Sequence, residues 1–270
     1  MTRHLGLDLG GTYVKWVVLE DSLVAAKGQT KTRADAGPEA VTERLIAAGR
    51  EAGPVDTVGV GVPGLFDSAT GAVTFLTNVP GDWKGRPLAR HVGDALGAPA
   101  TLINDARAFA LAEWTLGAAR GCDTAVFAVV GTGVGGGIVV GGKPHEGREG
   151  RAGELGHQTI DPDGPLCNCG NRGCVEAFVR AALEAKDVRL AGKLLGIGLG
   201  NAIALLAPEL IVVGGGVAVT GERLLRPLRK EIRRRVRVSV PVDVVQAELG
   251  VLAGAIGAAL RGAEGVKVGA

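Results

Sequence analysis

Three of the four cysteines in this 270-residue chain, Cys167, Cys169 and Cys174, stand within eight positions of one another, shortly after His157. Thiolates and a neutral imidazole at such spacing close a tetrahedral Zn²⁺ site. Four protein ligands leave no open position for water, so a metal held by them is structural. Gly170 and Gly173 let the chain curl tightly enough for Cys169 and Cys174 to face one ion. The alternatives are three reduced thiols in a surface loop, or a redox pair. Cys-x-Cys is a poor redox spacing, and either alternative leaves the histidine without a role.

Two carboxylates flank this stretch, Glu154 three residues before the histidine and Glu176 two after the last cysteine. A loop folded around a metal brings such distant acids onto one rigid frame. There they are good acceptors for the hydroxyls of a polyol, although solvated surface glutamates would have the same spacing.

The length suits two modest domains better than one. The 45 glycines are far more than usual and imply many tight turns and close backbone approaches. A formal charge of +2 gives no reason to expect nucleic acid or a membrane surface as partner. The basic run Arg229 to Arg237 is read as a solvated helix face. Met1 to Asp8 holds no signal-peptide core. Thr124 to Gly142 is uncharged and long enough to span a bilayer, but its seven glycines favour two strands joined by a turn. With the thiols explained by metal, a soluble, cytoplasmic protein is expected.

Along the chain, apolar runs at Leu5 to Leu9, Tyr13 to Leu19 and Val24 to Thr30 predict a three-stranded meander. Its first turn is Asp8-Leu-Gly-Gly-Thr12. Backbone amides in such a turn can wrap a phosphate, with Thr12 adding a hydroxyl, Asp8 placed for Mg²⁺ and Lys15 within reach of a phosphate. An ordinary hairpin uses the same residues. Pro38 to Gly53 reads as a helix and Thr57 to Val62 as a buried strand ending at Pro63-Gly64. Asn78 to Trp83 is a polar loop, suited equally to a plain turn and to sugar contact. Ala100 to Ile103 is a strand that delivers Asn104-Asp105 onto a helix from Ala106 to Leu116. Asp105 fits an N-cap there, and it also lies at a strand's C-terminal end, where open α/β sheets place chemistry.

After Gly121 the pattern restarts. A strand from Thr124 to Val130 leads into a glycine loop, Gly131 to Gly137, and a strand from Ile138 to Val140, which mirrors the start of the chain and suggests a duplicated fold. The loop contains Gly-x-Gly-x-x-Gly, but a β-branched strand follows where a dinucleotide fold needs a helix. Pro144 likewise spoils a P-loop ending at Lys143. Glu176 to Leu206 reads as one or two helices and Leu210 to Val213 as a strand closed by Gly214, Gly215 and Gly216. A helix from Leu224 to Arg235, a strand from Val242 to Gln246 and a small-residue helix from Gly250 to Leu260 complete the chain.

These motifs, in this order, resemble the ROK family of bacterial sugar kinases, repressors and uncharacterised proteins, a branch of the actin-like ATPase (ribonuclease H-like) fold. The resemblance runs nearly end to end and is most specific from Gly131 to Glu176. It implies an α/β protein of two lobes, with duplicated mixed β-sheet domains and flanking helices. Residues 1–106 would form the N-terminal lobe, with a helix at 250–262 packing back on it. Residues 107–249 would form the C-terminal lobe, including the zinc loop at 154–176.

By the same resemblance the chain is an ATP-dependent hexose kinase, most of all a glucokinase, with Asp105 as the base. Gly64, Asn78, Asn104, Glu154, His157 and Glu176 would hold the sugar, and His157, Cys167, Cys169 and Cys174 the zinc. Asp8, Gly10, Gly11, Thr12 and Lys15, with Thr132 and Gly133, would cradle phosphates and Mg²⁺, and Gly214 to Gly216 would lie near adenosine. Kinases of N-acetylmannosamine, N-acetylglucosamine or fructose share these motifs, and a homodimer is the family's habit. A sugar-responsive repressor of the family would carry a helix-turn-helix domain ahead of the phosphate turn, for which a start at residue 8 leaves no room. Two features depart from the family's kinases and bear on the nucleotide's outer contacts and the phosphate donor. Ala177 to Ala181 replaces a small-residue stretch, and the helical segment before Leu210 is short by some tens of residues.

Overall fold

The computed structural model describes residues 1–237 and 240–267. It forms two compact units, Met1–Ala112 with the chain from Leu252 onward, and Glu113–Val251.

The first unit opens with the strands β1 (Arg3–Leu9), β2 (Tyr13–Glu20) and β3 (Leu23–Lys31), followed by helix α1 (Pro38–Glu51) and strand β4 (Thr57–Val62). A hairpin of β5 (Gly64–Asp67) and β6 (Ala72–Leu76), helix α2 (Leu88–Leu96), strand β7 (Ala100–Asn104) and helix α3 (Asp105–Thr115) come next. The main sheet has the order β3-β2-β1-β4-β7, antiparallel across the meander and parallel from β1 to β4 and β7. Its two faces follow from the strand period of two. Leu5, Leu7 and Leu9 of β1, with Val58, Val60 and Val62 of β4, form one core with Val41 and Leu45 of α1. Gly6 and Gly59 point the other way, where a Cβ would run into the backbone oxygens of Ala255 and Ala258. Those residues belong to helix α7 (Ala253–Lys267), whose small side chains let it lie directly on the sheet.

The second unit contains β8 (Ala125–Val130), β9 (Val134–Val139), α4 (Val175–Glu184), α5 (Val188–Leu206), β10 (Leu210–Gly214), α6 (Glu222–Arg235) and β11 (Asp243–Gln246). Its sheet order is β11-β10-β8-β9, with β9 antiparallel to β8 and the others parallel. The duplication expected from the sequence is visible here. β8 has an antiparallel hairpin partner on one side and parallel strands on the other, as β1 does. Helix α5 is long and apolar enough to cross a membrane, yet Ala191, Leu195, Leu199 and Ile203 are core residues and Gly192 fits against the Leu224 backbone of α6. It is a packing helix of this unit.

Several expectations need correction. The glycine loop ends at Gly133, and Gly135, Gly136 and Gly137 lie inside β9. They are there because Gly136 approaches the backbone of Gly153, 2.7 Å from where its Cβ would stand, and not to extend a turn. The β5–β6 hairpin is too short to show a period, α2 carries a helical one with Leu88, Ala89 and Val92 buried on one face, and Gly64 lies in a strand instead of a loop. Asp105 is not the cap of α3. Asn104 Oδ1 accepts from the N–H groups of Ala106 (3.1 Å) and Arg107 (3.2 Å), which leaves Asp105 in the first turn. The division between units falls inside α3, past residue 106.

Glu113, fully buried, opens the second unit and was not singled out by the sequence. Its carboxyl oxygens accept from the backbone N–H groups of Ala118, Glu248 and Leu249 at 2.8–3.1 Å, so a buried polar group finds its partners on the main chain.

Candidate active site

The residues singled out by the sequence fall into two groups, one in each unit. In the first unit the turn between β1 and β2 is anchored from below, where buried Thr32 donates its hydroxyl to Gly10 O at 2.6 Å. The Gly10 N–H is consumed within the turn by Tyr13 O at 3.0 Å. The N–H groups of Gly11 and Thr12 have no acceptor among the described residues, which leaves two adjacent donors facing outward. Asn78 is brought to this turn, its backbone oxygen 3.0 Å from the position of a Cβ on Gly11.

Asp8, at the end of β1, lies 3.6 Å from Lys15 Nζ and its side chain is only 13 % exposed. Burial pushes its carboxyl above the ordinary range, and the nearby Lys15 ammonium opposes that shift. A carboxylate so poorly hydrated suits a bound cation. Asn104 positions the start of α3 and keeps a second amide N–H. Its Oδ1 caps α3 and its Nδ2 donates to Gly64 O at 3.3 Å, which ties the start of α3 to β5. Asp105 follows directly, with Oδ1 accepting from Ala106 N–H at 2.8 Å.

In the second unit His157, Cys167, Cys169 and Cys174 bring their ligand atoms within 4.8 Å of one another. Cys167 Sγ is 3.7 Å from His157 Nδ1, and Cys169 Sγ is 3.7 Å from Cys174 Sγ. Zn–S bonds of about 2.3 Å in a tetrahedron put sulfurs roughly 3.8 Å apart, so the donor set fits such an ion. All the thiols are free. Burial pushes the Cys174 thiol up to about 12 and raises Cys167 as well, whereas the Asn171 backbone hydrogen bond lowers Cys169. A metal entering here must displace protons from the buried thiols.

The histidine has two sides. Nδ1 faces the thiols, and Nε2 lies 4.0 Å from Glu154 Oε2. At that distance the carboxylate is a close electrostatic neighbour of the ring nitrogen that faces away from the thiols. The turn Leu155–His157 sits on β9, because Gly156 has no side chain and a Cβ there would meet Val134 O. Glu176, in the first turn of α4, accepts the Val134 N–H at 2.8 Å. Glu154 and Glu176 therefore both reach the strand that follows the second glycine turn, one through its turn and the other directly. In that turn Gly131 N–H bonds to Gly133 O, and the N–H groups of Thr132 and Gly133 have no acceptor among the described residues. The third glycine turn starts at Gly214, the last residue of β10. Gly215, at φ 89°, is pressed against Val130, while Gly216 faces open space.

Comparison with known proteins is consistent with this arrangement. The ROK family model matches residues 4–189 and 180–261, two pieces that meet where α4 gives way to α5, within the segment the sequence shows as short. The glucokinase of Thermotoga maritima is 34 % identical over 308 aligned positions, covering 95 % of this chain and 96 % of that one. That alignment is longer than the chain itself, so the relative carries residues absent here. Among solved structures, the ROK hexokinase of Thermus thermophilus has a TM-score of 0.86 at 36 % identity, covering 99 % of this chain and 100 % of that one. The ROK glucokinase of Streptomyces griseus, solved with glucose and AMPPNP, has a TM-score of 0.85 at 30 % identity, covering 97 % and 99 %. With a family match over most of its length and such relatives, this chain is a member of the ROK family.

Proposed function

We propose that this protein is an ATP-dependent hexose kinase, a glucokinase, that transfers the γ-phosphoryl group to the C6 hydroxyl of glucose. The observation that carries this reading is its near full-length likeness to a glucokinase solved with glucose and AMPPNP. The local geometry supports it, with outward backbone donors in both glycine turns and a carboxylate at the β7–α3 junction.

In this reading Asp105 is the base, and Glu154, His157 and Glu176 hold sugar hydroxyls. Asp105 accepts the proton of the attacking hydroxyl as its oxygen bonds to phosphorus and ADP departs. The loose transition state asks little of the base beyond alignment, so positioning by Asn104, Gly64 and Asn78 matters as much. Gly10, Gly11, Thr12, Thr132 and Gly133 would hold phosphates and Gly214 to Gly216 the adenosine, with Lys15 beside them. Asp8 would hold Mg²⁺, which when bound neutralises phosphate charge. His157, Cys167, Cys169 and Cys174 would hold a structural Zn²⁺ that fixes the frame carrying Glu154 and Glu176.

The test is ADP release, measured across glucose, mannose, fructose and the N-acetylated hexosamines with ATP and with polyphosphate. Glucose with ATP should give the highest kcat/KM. Asp105→Asn should lower kcat by about 10²–10⁴-fold with glucose binding little changed. Turnover retained in that variant would remove Asp105 from its role.

A further inference from the structure

Glu176 touches more than a sugar would require. It stands two residues beyond Cys174, at the start of α4, so whatever fixes that cysteine also fixes the carboxylate. Oε2 accepts the N–H of Val134, the residue directly after the turn Gly131–Gly133, and Oε1 lies 3.9 Å from Cys167 Sγ. A Cβ on Gly133 would stand 2.5 Å from Oε2. That glycine therefore makes room for a carboxylate of its own chain, whatever it also does for a phosphate. Val134 is held from both sides, its N–H by Glu176 and its carbonyl beneath Gly156 of the Glu154–His157 turn.

We propose that Glu176 is a positioning residue for the donor-phosphate turn, in addition to any contact with sugar. Through Val134 it sets the direction of the Thr132 and Gly133 N–H groups, which have no acceptor of their own. A charge-assisted bond to a backbone N–H is among the stronger hydrogen bonds, and removing the acceptor leaves that donor unsatisfied. The consequence is linkage: sugar hydroxyls that engage Glu176 alter the turn that receives the phosphates, and donor binding must change sugar affinity by the same factor. This rests on the kinase reading for the identity of the donor, while the link from Glu176 to the turn does not.

Two measurements on the metal-loaded protein test it without turnover. Amide hydrogen exchange across residues 131–134 is followed with no ligand present, and binding of Mg·AMPPNP is titrated without sugar. Glu176→Leu should speed exchange in that segment and weaken AMPPNP by about tenfold at unchanged zinc content. Glu184→Gln, which removes an exposed carboxylate from the same helix α4, should leave both as they are. If Glu176→Leu fails to fold, Gly133→Ala, which crowds the same carboxylate, should speed exchange likewise. Wild-type exchange and AMPPNP affinity in Glu176→Leu, or an equal weakening in Glu184→Gln, would overturn the proposal. If AMPPNP does not bind the wild-type protein but exchange still rises in the variant, the kinase reading falls and the link to the turn stands.

Discussion

The two glycine turns share a strand–turn–strand pattern but differ in what fills the space their glycines leave. Around the first turn it is backbone, with Tyr13 O 2.9 Å from a Cβ on Gly10 and Asn78 O 3.0 Å from one on Gly11. Around the second it is the carboxylate of Glu176. The acids differ accordingly. Asp8 is buried with its carboxyl raised, held against its own hydration with only Lys15 in partial support. Glu176 is hydrogen-bonded into the frame. The first turn is thus hemmed in by main chain and carries a buried acid beside Lys15. The second is only as ordered as the metal-loop residues that hold it.

The largest effect should come from the metal cluster and should separate the turns. Cys174→Ser, or a chelator if the proposed zinc is bound, should give the largest fall in Tm of the changes considered. Amide exchange should accelerate at residues 131–134 and stay unchanged at residues 9–13. Equal acceleration in both turns would break the comparison.

Alanine at the two glycines sharpens it. At Gly11 the new Cβ meets main chain that cannot swing away, and about 1–3 kcal/mol of stability should be lost. At Gly133 it meets the end of a flexible side chain, so the loss should stay below about 1 kcal/mol while the KM for glucose rises. Denaturant melts and initial rates on both variants would show the split, and equal stability losses would refute it.

The smallest effect concerns Asp8. A carboxyl raised by burial costs nothing below the unfolded pKa, where both states are protonated. The cost grows as the unfolded state ionises and is complete above the folded pKa. Asp8→Asn should therefore raise Tm slightly at pH 7, with the gain vanishing below about pH 4, and should weaken Mg·ATP binding. A variant less stable than wild type at pH 7 would show that Asp8 serves the fold.

Much of this was legible because it is local. The Cys/His ligands lie within eighteen positions from His157 to Cys174, so their spacing alone announces them. The meander, β4, β8 and the helices of the second unit follow apolar periods of two and of 3.6. The β5–β6 hairpin is too short for a clear period; α2 has one, but it follows a stretch of turn residues, Asn78 to Pro87, that reads as loop. Asp105 and Asn104 compete as helix caps on composition, and only geometry gives the place to Asn104.

The sequence by itself determined the family pattern of the chain, its repeated strand–turn–strand start and the cluster of cysteines behind His157. The tertiary structure decided that Glu113 is satisfied by Ala118, Glu248 and Leu249, that Gly133 is small for the sake of Glu176, and that α7 lies against Gly6 and Gly59. For Glu113 at Glu248 and Leu249, and for Gly6 and Gly59, the partner is a backbone group far along the chain; for Gly133 it is a distant carboxylate whose own partner is the Val134 N–H. Every residue type offers the same carbonyl, and all but proline the same N–H, so such contacts leave no mark in the sequence of the partner.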